Sequence, residues 1–107
     1  RKIKKFAPFL FVVNICGADD GDIRQFGLNR LIQPLGDGSF DTYKLIKSLK
    51  DNGYNGPIGL QCYNLKGDVV KTLSQSMETW MEYKKRYEQQ WGWFLTQVEN
   101  IPAKFLY

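Results

Sequence analysis

The 107 residues are 43% hydrophobic, 24% charged and 15% aromatic, the make-up of one ordinary folded domain. Lys and Arg number 15 against 11 Asp and Glu, so a net charge of +4 is spread along the chain and calls for no nucleic acid partner, while the apolar share excludes disorder. The longest apolar run is broken by Pro8 and Asn14, well short of the roughly 18 to 20 residues of a membrane span, so a transmembrane helix is excluded and no membrane partner is expected. The chain has no histidine, which removes the usual general base and the commonest metal ligand. Neither a His-based triad nor a histidine zinc site can be built from it alone.

Residues 1–10 lack the order of charged region, apolar core and small-residue cleavage site that marks a secretory leader. The start reads as internal to a longer protein, with the cytoplasm as the favoured compartment. Residues 9–16, Phe-Leu-Phe-Val-Val-Asn-Ile-Cys, lie between Pro8 and Gly17 and are rich in β-branched and aromatic side chains. They are expected to form a strand buried on both faces, as in a parallel sheet. A polar loop follows with Asp19, Asp20, Asp22 and Arg24, and runs through Pro34-Leu-Gly-Asp-Gly38 to Asp41. Asp41 is placed to cap a helix whose apolar stripe is Tyr43, Leu45, Ile46 and Leu49, with Asn52-Gly53 as its stop.

Gly56-Pro57 then leads into residues 58–63, Ile-Gly-Leu-Gln-Cys-Tyr, a second short strand. Strand, helix and strand in this order make a βαβ unit. Asp68 caps the longest helix, on which Val70, Leu73, Met77, Trp80, Met81, Lys84 and Tyr87 fall on one face, expected to be core. Residues 88–107 are expected to carry one more short helix before Pro102, as an aromatic extension to residues 1–87. Two parallel strands leave open edges and apolar faces, so neighbouring strands are expected either from upstream polypeptide or from another copy of this chain, a homo-oligomer.

Alternation puts Asn14 and Gln61 inside this sheet as buried amides, which need partners. Two readings stand open: the amides bond each other or loop backbone, or they meet a ligand at the strand ends. Asp19, Asp20 and Asp22 overhang those ends and could hold a hard cation through oxygens, or be a solvated acidic loop. The glycines of residues 34–38 could accept a phosphate at the following helix, or serve a tight connection. Arg24 and Arg30 could grip a phosphate or carboxylate, or be solvated. Cys16 and Cys62, each in an apolar run, read as free thiols.

The order Val-Asn-Ile-Cys-Gly-Ala-Asp at residues 13–19, Leu-Ile-Gln-Pro-Leu-Gly-Asp-Gly-Ser-Phe-Asp at 31–41 and Leu-Lys-Asp-Asn-Gly-Tyr-Asn-Gly-Pro-Ile-Gly-Leu-Gln at 49–61 resembles the C-terminal part of the sugar phosphate isomerase/epimerase family. The resemblance covers about residues 6–87. It implies an α/β fold, namely the last two strands and their helices of a xylose isomerase-like TIM barrel, with a site at the strand C-termini. It further implies a sugar or sugar phosphate as substrate and proton transfer next to a carbonyl by paired glutamates. A divalent metal (Mn, Mg or Zn) would assist. On this reading Asn14, Asp19, Arg24 and Arg30 contact substrate, and Gln61 stands where the family has the catalytic, metal-binding Glu of a G-L-E motif. A neutral amide cannot act as a general base. The alternative is therefore a non-catalytic carbohydrate-binding or scaffold barrel that has lost its metal site.

Overall fold

The computed structural model describes the backbone of residues 2–98 and the side chains of residues 2–90. The architecture is mixed α/β: helix α1 (Lys2–Phe6), strand β1 (Val13–Ile15), helix α2 (Leu28–Leu31), helix α3 (Thr42–Asp51), strand β2 (Ile58–Leu60) and the long helix α4 (Val69–Val98). The two strands pair in parallel, with Val13 opposite Ile58, Asn14 opposite Gly59 and Ile15 opposite Leu60.

β1 is shorter than the apolar run predicts, and the prolines explain why. Pro8 lies in a 3-10 turn, Ala7–Phe9, closed by Leu10 N–H donating to the Ala7 carbonyl. The ladder begins where the Val13 amide donates to the Pro57 carbonyl; Pro57 has no N–H to return. Phe9, Phe11 and Val12 consequently lie outside the strand and are exposed, Phe11 by 91%. Nor is β1 buried on both faces: Ile15 is buried while Asn14 is exposed. β2 also ends early. The Gln61 amide makes one more ladder bond, to the Ile15 carbonyl, before the chain turns.

The connection out of β1 is a packed structure rather than a plain loop. Gly17 exchanges two backbone hydrogen bonds with Gln33, and Phe40 N–H donates to the Ala18 carbonyl. A Cβ on Gly17 would sit 2.2 Å from the Pro34 carbonyl oxygen, and one on Gly38 would sit 2.1 Å from that of Ala18. Gly38 has φ +85, a left-handed backbone that glycine adopts freely. The glycines of residues 34–38 thus serve close chain approach, the tight-connection reading of that segment.

α3 forms as its sequence predicts. Asp41 accepts the Lys44 amide at the N-terminus, and Asn52 caps the C-terminus before Gly53. Tyr43, Ile46 and Leu49 are buried. Tyr54 then pins the turn into β2, its hydroxyl donating to the Pro57 carbonyl at 2.6 Å. Ile15, Leu35 and Ile46 make the core, with Val13, Ile58, Leu60, Trp80 and Tyr83 packed against it.

α4 differs from expectation in its rotation. The predicted core stripe is largely exposed, Leu73 by 48% and Met77 by 60%, as are Val70 and Met81. The helix instead turns Gln75, Ser76, Thr79 and Tyr83 inward. Ser76 accepts the Leu35 amide at 3.2 Å, Thr79 donates to the Leu35 carbonyl at 3.1 Å, and Gln75 donates to the Asp37 carboxylate at 2.7 Å. Leu35, 2% exposed, is held from both of its backbone groups, and those otherwise unsatisfied buried groups fix the helix's orientation. α4 runs without a break past residue 88 to Val98, so the expected separate short helix does not begin there; residues 99–107 lie outside the described residues. No helix among the described residues is long and apolar enough to cross a membrane.

Candidate functional site

The two faces of the β1–β2 pair are chemically distinct. Val13, Ile15, Ile58 and Leu60 form the face that packs toward Leu35, Ile46 and Trp80. Side-chain alternation therefore assigns Asn14, Gly59 and Gln61 to the opposite face. In the in-register parallel pair Asn14 lies directly across from Gly59. A Cβ on Gly59 would come within 2.4 Å of the Asn14 Oδ1, so glycine leaves the room in which the Asn14 amide lies.

Among the described residues the Asn14 side chain makes no hydrogen bond, and its donor and acceptor groups face outward. Gln61, half-buried, has its Oε1 engaged by the Tyr63 amide at 3.0 Å, which leaves its NH2 donors available. The two amides do not bond each other. Together they offer two donors and an acceptor from Asn14 and two donors from Gln61, all uncharged at any physiological pH.

The loop residues are organised separately. Asp19 accepts Arg30 Nε at 2.8 Å on one carboxylate oxygen and the Ser39 amide at 3.3 Å on the other. These bonds, Arg30's foremost, hold its carboxyl below the usual carboxylate range. Arg30 stacks over the Phe26 ring at 3.8 Å. Asp22 caps the 3-10 turn Ile23–Gln25 through the Arg24 amide and accepts two guanidinium bonds from Arg24, both at 2.9 Å. The Arg24 guanidinium likewise keeps the Asp22 carboxyl low. Asp20 accepts the Gly21 amide and so turns its own loop.

Each predicted arginine therefore already has a carboxylate partner. Arg24, with a side chain 86% exposed, is held along its own loop by Asp22, and Arg30 positions Asp19 at the exit of β1. Of the predicted residues, the structure brings Asn14 and Gln61 onto one strand face and joins Asp19 to Arg30.

A divalent metal finds no complete donor set here. No three His, Cys, Asp or Glu side chains converge among the described residues. Asp19 and Asp22 are neutralised by arginines, and Gln61 Oε1 is already an acceptor for Tyr63. Mn, Mg and Zn are hard or borderline cations that take anionic oxygen or nitrogen and sulfur ligands, so a metal at this face would draw its carboxylates from outside these residues. Cys16 and Cys62 are both free. The Cys16 thiol donates to the Leu31 carbonyl and is pushed above the ordinary thiol range by burial.

Residues that sequence reasoning missed are the supports: Gly59, which makes space for Asn14, and Ser39, whose amide and hydroxyl tie Asp19 and Asp20 to the far end of the loop. A glycine opposite an asparagine in two strands of equal register was the one available sign of the former. Comparison with protein-family models, with curated proteins and with solved structures finds no match to this chain.

Proposed function

We propose that this chain supplies two strands of a barrel of the sugar phosphate isomerase/epimerase kind, and that its open polar strand face binds a sugar or sugar phosphate. The observation that carries the reading is the pairing of uncharged amides, Asn14 and Gln61, on one face of parallel strands whose other face is packed on helices. In α/β barrels the helix-covered face is apolar and ligands lie at the strand C-termini. Amides, with donors and acceptors fixed in a plane, match vicinal hydroxyl groups without selecting a charge. Proton transfer would need carboxylates from other strands, because Gln61 cannot act as a base.

The replacement of a carboxylate by Gln61 favours one second reading, a barrel that binds carbohydrate without turning it over. Titration of the 107-residue chain with a panel of aldoses, ketoses and their monophosphates, followed by calorimetry and amide chemical shifts, tests the binding claim. Saturable binding that weakens at least about tenfold in Asn14→Ala and in Gln61→Ala, a loss equal to one or two hydrogen bonds, is the expected result. Binding that both variants leave unchanged, or no binding to any member of the panel, overturns it. Isomerisation of a bound sugar phosphate would separate the enzyme from the binding module.

A further inference from the structure

Among the described residues two apolar surfaces stand exposed, and they differ in shape. One is a groove of about 380 Å³ between the sheet and α4, lined chiefly by Ile58, Leu60, Leu73, Met77 and Trp80. It opens beside β2, which has no strand on its far side among the described residues. The other is a protrusion just before β1, where Phe9 is 74% and Phe11 91% exposed, with Val12 beside them. Phe9 ends the 3-10 turn Ala7–Phe9 and Phe11 lies in the bend that follows; were the chain extended there, Phe11 would share parity with Val13 and Ile15, the residues that face the helices.

The packing inside the chain shows what such a groove accepts. α3 covers the β1–β2 pair through Ile46. α4 meets the loop at Leu35 with one flank, so its Leu73–Met77 flank is left standing over the space where a strand next to β2 would lie. We infer that a second copy of this chain fills that space: the segment carrying Phe9, Phe11 and Val13 of one copy lies beside β2 of another, parallel to it, with the aromatics against Leu73, Met77 and Met81.

Three considerations favour this occupant. Among the described residues both edges of the sheet present unpaired backbone groups; the Pro57 carbonyl and the Gln61 amide bond to β1, so alternation directs the backbone groups of Ile58 and Leu60 to the free edge of β2. The areas are adequate, because each exposed phenylalanine covers about 150 to 250 Å². With Val12 the protrusion approaches the roughly 450 Å² of apolar surface, about 57% of some 800 Å², that one side of a stable interface contributes. Finally the contact joins two different surfaces, so it is head-to-tail, and such contacts form a ring where the rotation between copies closes and an open filament where it does not. Four copies of two strands make the eight of a barrel, a count that rests on the barrel reading above; Asn14 and Gln61 would then line its interior.

The test is a complementation experiment on the 107-residue chain. Met77→Glu spoils the groove and Phe11→Glu the protrusion, and both side chains are exposed, so each variant is expected to fold with unchanged circular dichroism. Sedimentation at about 100 µM, far above the Kd of a standard-sized interface, is expected to show the unaltered chain assembled beyond a dimer and each variant monomeric. An equimolar mixture of the two variants is expected to give a dimer, because one intact groove and one intact protrusion remain.

Assembly unaffected by either substitution, or a mixture that stays monomeric, overturns the inference. A monomeric unaltered chain also overturns it and assigns the groove to a segment of another polypeptide. Sugar titration and sedimentation read different properties: assembly without sugar binding defeats the functional reading alone, and binding by a monomer defeats this one alone.

Discussion

The two flanks of α4 carry opposite chemistry in the opposite of the usual places. Gln75, Ser76 and Thr79, polar, lie against the body of the protein, while Leu73, Met77 and Met81, apolar, face outward. The difference teaches that a helix is oriented by the least replaceable demand on it. Burying a Leu or Met side chain contributes about 1.5 to 3 kcal/mol, but a second apolar surface can supply that later. The Leu35 amide and carbonyl are enclosed by the chain itself, and a buried amide without a partner costs about 1 to 3 kcal/mol with no other remedy.

Truncation on the inner flank's target should produce the largest effect. Leu35→Ala removes the most deeply buried side chain of the core and is expected to lower stability by about 2 to 5 kcal/mol. Met77→Gln on the outer flank should change monomer stability by less than about 0.5 kcal/mol. Urea unfolding of both at low protein concentration checks the contrast; equal losses would mean that the outer flank is packed in the folded monomer.

A smaller effect isolates the polar clamp. Ser76→Ala leaves the Leu35 amide unpaired and should cost about 1 to 3 kcal/mol, with hydrogen exchange at Leu35 accelerating more than at Ile46. An unaltered exchange rate at Leu35 would show that the hydroxyl is not its protecting partner.

The smallest expected effect lies away from the helix, in the loop. Asp19 and Asp22 have carboxyls held low by Arg30 and Arg24, so their ion pairs favour the folded state above the unfolded carboxyl pKa of about 3.9. That contribution is lost as the pH falls through the depressed folded values. Thermal unfolding should weaken below about pH 4, and Asp19→Asn should flatten that acid slope while leaving the behaviour above pH 6 little changed in form. A slope identical to that of the parent would remove the Asp19–Arg30 pair from the acid response.

Much of α3 was legible because its signals are local. Asp41 and Asn52 act on backbone groups three or four residues away, and Tyr43, Ile46 and Leu49 recur at the helical period. The parallel strand pair was legible from two apolar runs joined by a helix. The ends of the strands were not, since β1 begins only at Val13, where Pro57 of the other strand has no amide to extend the ladder further back, a partner separated from it by more than forty positions. The candidate site was half legible. Period-two alternation put Asn14 and Gln61 on one face, but the expected burial of Asn14 needs neighbouring strands. The arginines' engagement with Asp19 and Asp22 depends on how residues 17–40 fold.

The sequence by itself determined the elements whose causes lie within about a helical turn or the pleat of a strand: the capped α3, the alternating faces, the existence of a long helix after Asp68. It also set the uncharged chemistry of the amide pair, because the chain has no histidine and its first glutamate is Glu78, well past both strands. Tertiary structure alone decided which flank of α4 turns inward, which carboxylates the arginines occupy and where the apolar surplus is left showing. Each of those outcomes is set by hydrogen-bond partners and packing surfaces distant in sequence, such as Leu35 with Ser76 and Thr79, and the hydrophobic pattern of a helix carries no record of which groups will need its polar side chains.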